Sequence, residues 1–318
     1  MTGKPKIFID GEAGTTGLQI SDALQARKDI DLIQLPYDER KTRTSRKNAI
    51  NDADIVILCL PDEAAKDAVS LLQNSDTTII DASSAHRTDS NWSYGFTEYD
   101  KSQRDEIKSS KRISNPGCYA IGAISIIHPL VSSGLFNGSE TFYIHGLSGY
   151  SGGGKNLISQ FEQTTKEESV TLSGYDYSLN LNHKHVPEIK LWSGVEKDPT
   201  FLPTVGPYKQ GMLVHVPLPL GEIRKKVTAA DIRQIYSEHY ENEKFIKVID
   251  SNYTGANDLL NPQALNGSNQ LHLHLLYSQE KQQSIMVAQL DNLGKGASGQ
   301  CIQTINSLIG VEEDTGLI

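Results

Sequence analysis

KIFIDGEAGTTG, residues 6–17, is the stretch of sequence that decides the fold. Its first five residues form a short apolar run typical of a buried strand, and a helical pattern begins at its last threonines. The glycines between them allow a tight turn and close approach of the backbone to a pyrophosphate, which N–H groups at the helix start would bind. The spacing is G-x-x-G-x-x-G rather than the commoner G-x-G-x-x-G, but its place between strand and helix favours a dinucleotide site. The cofactor-binding residues expected here are Gly11, Gly14, Thr15, Thr16 and Gly17.

Strands and helices alternate along the first part of the chain. Apolar runs predict further strands, and periodic leucine and alanine predict helices between them. The predicted strands are Asp31–Leu35, Asp54–Leu60, Thr77–Asp81 and Arg112–Ser114, and the predicted helices are Thr15–Arg27 and Glu63–Leu72. The pattern predicts an α/β fold with a Rossmann-type, doubly wound parallel sheet.

The pattern changes at about residue 118. The strands predicted beyond it are Thr141–Leu147, Leu213–Leu218, Gln270–Tyr277 and Ser284–Leu290. Several of them alternate apolar and polar residues, which predicts a mostly antiparallel sheet with one covered face in an α+β domain. Residues 297–308 predict a final helix that we expect to return to the first domain. We therefore predict a cofactor-binding domain of residues 1–117 completed by residues 297–318, and a catalytic and oligomerisation domain of residues 118–296.

Composition argues against several classes of protein. The chain has 318 residues, a formal net charge of −9 and no long run of Lys or Arg, so we expect no nucleic-acid partner. No stretch approaches the roughly 20 apolar residues of a membrane-spanning helix, and no secretory leader is visible, so we expect no membrane association. Three cysteines, at positions 59, 118 and 301, do not make a disulfide framework and favour a cytoplasmic location.

The segment after the second predicted strand bears on the choice between NADP and NAD. An NAD site usually carries an acidic residue there, which binds the ribose 2′-hydroxyl. Residues 36–46 (PYDERKTRTSR) instead gather four cations and several hydroxyl groups where a 2′-phosphate would lie. We therefore expect NADP, bound in part by Arg40 and Arg43, while Asp38 and Glu39 keep NAD open.

Cys118 is the candidate nucleophile. It follows the sharp turn Asn115–Gly117 and precedes an apolar helical pattern, which places it at or near a helix N-terminus. The partial positive charge of a helix start lowers the pKa of a thiol and favours the nucleophilic thiolate. Cys59 and Cys301 lie within apolar patterns and are expected to be small buried residues. By itself, Cys118 is equally compatible with catalysis and with burial.

Two histidines and a glutamate are grouped in NHKHVPEI, residues 182–189. Residues two apart in an extended segment point the same way, so either His183 or His185 can reach a site. Histidine passes protons near neutral pH, and Glu188 can orient one imidazole. Pro187 suits the first position of a helix, so we expect His185 just before that helix. No ligand set with zinc spacing accompanies the histidine pair, and we expect no metal.

Two further segments and the turn before Cys118 carry candidate anion-binding residues. DASSAHR, residues 81–87, follows a strand at the edge where open α/β sheets bind ligands. LSGYSGGGK, residues 147–155, has the glycine content of an anion nest. The residues expected to bind substrate are Arg87, Asn115, Ser148 and Gly149, and Ser83 is expected to bind the cofactor.

Together these motifs resemble those of the short class of N-acetyl-γ-glutamyl-phosphate reductases, within the semialdehyde dehydrogenase superfamily. The resemblance runs through nearly the whole chain, and PGCY at 116–119 together with HKHVPE at 183–188 makes it specific. Further matching segments are the glycine loop, CLPD at 59–62, DAS at 81–83, LSG at 147–149 and GKGASGQ at 294–300. Aspartate-semialdehyde dehydrogenases share the fold and mechanism, but their usual histidine pattern is absent.

The resemblance implies an enzyme of arginine biosynthesis. It would reduce N-acetyl-L-glutamyl 5-phosphate to N-acetyl-L-glutamate 5-semialdehyde with NADPH, releasing phosphate and passing through a cysteine thioester. Cys118 would be the nucleophile and His185 the acid/base residue, with His183 a close second and Glu188 assisting. The choice between the two histidines stays open. We also expect a homo-oligomer, a dimer or a tetramer.

The resemblance also implies binding roles. Arg87 would hold the acyl phosphate of the small-molecule substrate. Asn292 would lie near the nicotinamide, and the loop that begins at Gly294 would pack beside it.

Other functions stay open from the sequence. Reductases of aspartyl or aminoadipyl phosphate would use the same chemistry. A hydrolase or acyltransferase with a Cys–His pair would need no nicotinamide, and the glycine loop argues against it. A non-catalytic dinucleotide sensor would bind the cofactor but leave Cys118 unreactive.

Overall fold

The computed structural model describes residues 3–162, 173–220, 226–250, 253 and 258–318. The chain divides into two compact units. The first comprises Met1–Thr97, Lys101–Gly117 and Ala297–Ile318, and the second comprises Glu98–Asp100 and Cys118–Gly296. Within the described ranges, no helix is both long and apolar enough to cross a membrane.

A six-stranded parallel sheet forms the centre of the first unit. Its strands are β1 (Lys6–Asp10), β2 (Asp31–Ile33), β3 (Ile55–Leu58), β4 (Thr78–Asp81), β5 (Ser93–Tyr94) and β6 (Arg112–Ser114). Its helices are α1 (Thr15–Gln25), α2 (Arg43–Asp52), α3 (Asp62–Ser70), α4 (Gln103–Ser109) and, from the end of the chain, α9 (Gly299–Ile309). The strand order is β2-β1-β3-β4-β6-β5 with every pairing between described residues parallel, which confirms the predicted Rossmann-type sheet.

Both faces of this sheet are covered, as the continuous apolar strands predicted. On one face Ile7 and Ile57 pack in a cluster with Leu24 of α1 and Ile305 of α9. On the other face Phe8 packs with residues of α2 and α3. Each fully buried side chain of this size contributes roughly 1.5–3 kcal/mol relative to exposure, so the two layers hold the strands in register. Because the strand order reverses at β1, the carboxyl ends of β1 and β3 form the edge where such sheets bind ligands.

A seven-stranded mixed sheet forms the centre of the second unit. Its strands are β7 (Tyr143–Gly149), β8 (Tyr175–Asp176), β9 (Thr200–Gly206), β10 (Met212–Pro217), β11 (Ile246–Ile249), β12 (Leu271–Ser278) and β13 (Gln283–Leu290). Its helices are α5 (Cys118–Ser132), α6 (Gly154–Glu162), α7 (His185–Ser193) and α8 (Ala229–His239). The order is β11-β12-β13-β10-β7-β9-β8. Among the described strands the β11–β12 and β7–β9 pairings are parallel and the others antiparallel, as a mostly antiparallel sheet predicts.

One face of the mixed sheet is covered by α5. Gly122 of α5 makes this close approach feasible, because a Cβ there would lie 2.8 Å from Val214 on β10. Successive side chains of a strand point to opposite faces, so His215 lies on the other face, in register with His145 of β7. His145 is exposed and His215 half-exposed. The sheet therefore keeps one partly uncovered face.

The last helix begins later than predicted. Residues 294–298 form a short π-helical turn, and α9 follows at Gly299. Turns of this kind are frequent at functional sites, and this one carries the first two glycines of GKGASGQ, Gly294 and Gly296.

Candidate active site

The glycine loop of the first unit has the close contacts that its sequence predicted. Gly11 has a φ of +91°, and a Cβ there would lie 2.4 Å from the carbonyl oxygen of Cys59. A Cβ on Gly17 would lie 2.6 Å from the carbonyl oxygen of Gly11. Gly14 is the N-cap of α1, and no side chain caps this helix end. The loop therefore leaves main-chain N–H groups at the start of α1, beginning at Thr15 and Thr16, for a ligand.

These residues fit the pyrophosphate of a dinucleotide. Side chains at Gly11 and Gly17 would fill the turn, and the first turn of α1 presents N–H donors with the positive end of the helix dipole. The expected contacts of the loop with the cofactor stay predictions.

The two arginines expected to bind a 2′-phosphate lie in ion pairs. Arg40 is 2.6 Å from the carboxylate of Glu12 in the glycine loop, so it lies beside the expected pyrophosphate position. Arg43, the first residue of α2, is 2.6 Å from Asp67 of α3. Both guanidinium groups are partly exposed, so an incoming phosphate can compete with these carboxylates.

Asp81, at the carboxyl end of β4, organises the segment that contains Ser83. Its buried carboxylate accepts hydrogen bonds from the main-chain N–H of Ser83 at 2.9 Å and from the Ser83 hydroxyl at 2.7 Å. It also lies 2.6 Å from Nδ1 of His86, whose ring stacks on Trp92. Ser83 is thus held by the protein itself, and its predicted contact with the cofactor would use the main chain or a second lone pair.

Arg87 is buried and supports the turn before Cys118. Its Nε donates to the carbonyl oxygen of Asn115 at 3.0 Å, and a terminal nitrogen donates to that of Ala82 at 3.0 Å. The side-chain amide of Asn115 in turn donates to the carbonyl oxygen of Ala297 at 3.1 Å. The structure therefore shows that both residues fix main chain, and their predicted substrate contacts stay predictions.

Cys118 is the first residue of α5, the position that the sequence predicted. Its side chain is half-buried. Gly296, in the π-helical turn, packs directly against it, since a Cβ on Gly296 would lie 2.8 Å from Cys118 Cβ. The positive end of the helix dipole at this place stabilises a thiolate.

Tyr119 lies at the centre of the side chains around Cys118. Its ring packs on Gly146, where a Cβ would lie 2.4 Å from the ring carbons. Burial raises the pKa of Tyr119 well above its usual value, the charges of Tyr177 and Cys118 act in the same direction, and a hydrogen bond with Ser148 acts in the opposite one. Burial likewise raises the pKa of Tyr177 to about 12. Both phenols therefore keep their protons at neutral pH, and the Tyr119 hydroxyl donates a long hydrogen bond of 3.4 Å to the carbonyl oxygen of Thr204.

The two histidines lie against this tyrosine but differ in their hydrogen bonds. Their ring centres are 6.0 Å (His183) and 5.9 Å (His185) from that of Tyr119, and 4.7 Å from each other. Nδ1 of His183 accepts the main-chain N–H of His185 at 3.1 Å, and its Nε2 has a long contact of 3.5 Å with the hydroxyl of Tyr177. This bonding assigns the proton of a neutral His183 to Nε2.

One prediction about this segment is wrong. Helix α7 begins at His185 rather than after it, and Pro187 is its third residue. Lys184 already has helical dihedral angles, and proline is tolerated within a first turn because its N–H would have no partner there. Glu188 is buried one turn after His185 on the same helix, where it shares a face with that histidine.

The remaining predicted residues support the loops near Cys118. Ser148 and Gly149 end β7, and a Cβ on Gly149 would lie 2.5 Å from the carbonyl oxygen of Lys209. The amide of Asn292 donates to the hydroxyl of Ser151 at 3.0 Å and accepts from the N–H of Gly211 at 2.8 Å. Asn292 thus ties the glycine-rich loop after β7 to the end of β13, and its predicted place near the nicotinamide stays a prediction.

Gly294 is a packing glycine, since a Cβ there would lie 2.3 Å from the carbonyl oxygen of Ser268. Its contact with the cofactor stays a prediction, because this packing explains the glycine without a ligand.

Sequence reasoning missed four residues of these sites. The carboxylate of Asp81 binds Ser83 and His86 within its own segment, whereas Tyr177, Asp291 and Gly296 make contacts with residues far away in sequence. Asp81 lies in DASSAHR and Gly296 in GKGASGQ, so these two motifs were the signal that could have identified them. Tyr177 and Asp291 carry no local signal, because their roles arise from strand pairing.

Comparison with known proteins agrees with this architecture. Residues 7–109 match the family model described as the semialdehyde dehydrogenase NAD binding domain, and residues 118–292 match the semialdehyde dehydrogenase dimerisation domain. Among solved structures, aspartate semialdehyde dehydrogenase II of Vibrio cholerae, complexed with ASA, is similar with a TM-score of 0.72 at 14% identity, covering 97% of this chain and 99% of that one. Aspartate semialdehyde dehydrogenase of Candida albicans with NADP has a TM-score of 0.66 at 14% identity, covering 98% and 100%. These two likenesses show the fold.

Curated relatives are much more similar in sequence. N-acetyl-gamma-glutamyl-phosphate reductase of Trichormus variabilis is 42% identical over 99% of this chain and 99% of its own length. N-acetyl-gamma-glutamyl-phosphate reductase 2 of Pseudomonas putida is 44% identical over 98% of this chain and 99% of its own length. With such identity along nearly its whole length, the chain belongs to the N-acetyl-gamma-glutamyl-phosphate reductase family.

Proposed function

We propose that this protein reduces N-acetyl-L-glutamyl 5-phosphate to N-acetyl-L-glutamate 5-semialdehyde and phosphate, with NADPH, in arginine biosynthesis. The observation that carries the proposal is the group around Cys118. A half-buried cysteine begins a helix, and the rings of His183 and His185 pack against Tyr119, the residue that follows it. The chain is also 42–44% identical to proteins named as reductases of this substrate.

Cys118 supplies the nucleophile. Its thiolate attacks the acyl carbon, the S–C bond forms as the C–O bond to phosphate breaks, and phosphate leaves with the bonding electron pair. The thioester that results accepts hydride more readily than a carboxylate would. Main-chain N–H groups at the start of α5 and the protonated phenol of Tyr177 are donors suited to stabilise negative charge on the carbonyl oxygen.

Of the two histidines, His185 is better suited to be the acid/base residue that carries the proton in this reaction. To become an imidazolium, His183 would have to protonate Nδ1, which accepts the N–H of His185, and that hydrogen bond would be lost. His183 is therefore suited to orient His185. His185 would protonate the oxygen when the thioester carbonyl is reduced, which gives the thiohemiacetal, and take that proton back as the C–S bond breaks to release the aldehyde and the Cys118 thiolate. Glu188, buried on the same face of α7, is placed to support the charged form of His185.

The glycine loop and its neighbours would hold the cofactor. Gly11, Gly14 and Gly17 fit the pyrophosphate, and Arg40 beside Glu12 is the cation suited to a 2′-phosphate. When bound, NADPH supplies the hydride that reduces the thioester carbonyl.

We also propose that the chain forms a homo-oligomer, at least a dimer, through the second unit. The family model of residues 118–292 is a dimerisation domain, and the face of the mixed sheet opposite α5 keeps His145 and His215 partly uncovered. The expected cytoplasmic location is supported by three cysteines that are all free thiols.

A reverse-direction assay tests the proposal. The purified protein is mixed with NADP, phosphate and N-acetylglutamate semialdehyde, and NADPH formation is compared with the rate for aspartate semialdehyde. We expect phosphate-dependent reduction of NADP with the acetylated substrate only. A preference for aspartate semialdehyde would overturn the substrate assignment, and NADP binding without turnover of either aldehyde would indicate a sensor.

A further inference from the structure

A buried ion pair in the second unit has no part in the reaction described above. Nζ of Lys295 lies 2.7 and 2.9 Å from the two carboxylate oxygens of Glu98, and both side chains are fully buried. The ammonium also lies 5.4 Å from the centre of the Phe245 ring. Removing two charges from water costs several kcal/mol per ion, and apolar residues of equal volume are often as stabilising. Global stability is therefore a weak reason for this pair.

Lys295 of this pair belongs to the turn that contacts Cys118. Lys295 is the second residue of the π-helical turn Gly294–Ser298, and Gly296 follows it. A Cβ on Gly296 would lie 2.8 Å from Cβ and 3.3 Å from Cα of Cys118, so this main chain is in direct contact with the cysteine. Any shift of the turn therefore moves the surface against which the thiol packs.

Asp291, which precedes the turn, also holds it through hydrogen bonds. The carboxylate of Asp291 accepts the main-chain N–H of Leu293 at 2.9 Å and of Gly267 at 2.8 Å. The carbonyl oxygen of Asp291 accepts the N–H of Gly296 at 2.9 Å. The turn thus has a hydrogen-bonded anchor at Asp291 and a side-chain anchor at Lys295.

We propose that the Lys295–Glu98 ion pair is a positioning device for Cys118. The pair fixes the turn so that Gly296 holds the cysteine at the start of α5 in the orientation needed for attack. Lys295 and Glu98 touch no reacting atom and act through Gly296, so they are positioning residues. This inference rests on the proposed function for its effect on kcat. The reactivity of the Cys118 thiol can be measured without substrate, so it tests the ion pair independently of that function.

Two double variants test the pair without leaving one charge buried alone. Glu98→Leu with Lys295→Met removes both charges, and Glu98→Gln with Lys295→Gln keeps two groups that can hydrogen-bond. For the apolar pair we expect kcat to fall about 10- to 100-fold, as for other misplaced catalytic groups, with unchanged affinity for NADPH. The rate of Cys118 alkylation by iodoacetamide at pH 7 should also fall several-fold, because the thiol leaves the helix start that stabilises its thiolate. The glutamine pair should recover part of both rates.

The surface pair Lys66–Glu63, whose charged atoms are 2.8 Å apart, is the matched control, and its double variant Lys66→Met with Glu63→Leu should leave both rates unchanged. Gly296→Ala, which presses on Cys118 directly, should reproduce the loss seen with the apolar pair. Wild-type kcat and alkylation rates in the folded apolar variant would overturn the inference. If that variant does not fold, wild-type rates in both the glutamine pair and Gly296→Ala would overturn it. If the wild type lacks phosphate-dependent turnover, the proposed function fails, while the alkylation rates still test the ion pair.

Discussion

The two units of this protein assemble their sites in different ways. In the first unit β1, the glycine loop and α1 follow one another along the chain, so the expected cofactor site is local in sequence. In the second unit the side chains around Cys118 come from the start of α5, the end of β7, residues 177–185 and the turn after β13. A local site depends on backbone shape, and an assembled site depends on sheet order and packing.

The difference teaches where each site is vulnerable. In the glycine loop a single methyl group at Gly11 or Gly17 would collide with main-chain atoms and force the loop to shift, with no effect expected on the thiol. In the second unit, residues distant in sequence support Cys118, so several separate substitutions should alter the thiol and leave cofactor affinity unchanged.

The largest effect is expected from Cys118→Ser. A hydroxyl is a far weaker nucleophile at neutral pH, so kcat/KM for the acyl phosphate should fall by at least about 1000-fold. NADPH affinity, measured by fluorescence titration, should not change, because the cofactor loop belongs to the other unit. Substantial retained turnover would contradict the covalent role.

The next effect separates the two histidines. His185→Asn should lower kcat about 100- to 1000-fold and remove one limb of the pH–rate profile, because the proton carrier is lost. His183→Asn should cost less than His183→Leu, since the asparagine oxygen can still accept the N–H of His185. If His183→Asn and His185→Asn have the same kcat and the same altered pH profile, the assignment of the proton to His185 is wrong.

Substitutions in the glycine loop should act on the cofactor alone. Gly17→Ala places a Cβ 2.6 Å from the carbonyl oxygen of Gly11, so the loop must shift and NADPH affinity should fall about tenfold or more. Gly14→Ala meets nothing nearer than 3.5 Å, so any loss of affinity there reports close approach of the ligand. The rate of Cys118 alkylation should be unchanged in both. A slower alkylation of Cys118 in either variant would show that the glycine loop also affects the thiol, and it would contradict the expected independence of the two sites.

The smallest effect is a pH dependence of stability that belongs to the second unit. Burial lowers the pKa of His128 and His272 to about 4, below the value of 6.5 expected in the unfolded chain. The unfolded state therefore binds more protons, so the free energy of unfolding should decrease as the pH falls from about 6.5 towards 4. The contribution of half-exposed His272 should be less than about 1 kcal/mol because solvent screens it. Urea unfolding at pH 7 and pH 5 should show a smaller decrease for His272→Gln than for the wild type, and an equal decrease would contradict this origin.

The predictable features were those that depend on neighbours in sequence. The α/β class, the strand–loop–helix around residues 6–17 and the helix that begins at Cys118 all follow from local patterns. The start of α7 was predicted wrongly because Pro187 is compatible with more than one position in a first turn. Proline is unfavourable in a helix interior but is tolerated at several positions of the first turn, so it does not fix the residue at which a helix begins.

The features that could not be predicted depend on pairing between distant segments. Strand β9 runs parallel to β7, and this pairing places residues near Tyr177 beside the glycine-rich loop. The carboxylate of Asp291 binds N–H groups of residues more than twenty positions away. Such contacts are set by the order of strands in the sheet, and no short motif contains that order.

The central claim is that Cys118 carries the acyl group between phosphate and hydride. It is tested most directly by mixing the protein with N-acetylglutamate semialdehyde and NADP in the absence of phosphate, and following NADPH formation and the mass of the Cys118 peptide. The account predicts a burst of one NADPH per chain, with an N-acetylglutamyl group on Cys118 that phosphate then removes. Steady turnover on adding phosphate, with no burst and no adduct on Cys118 beforehand, would contradict it.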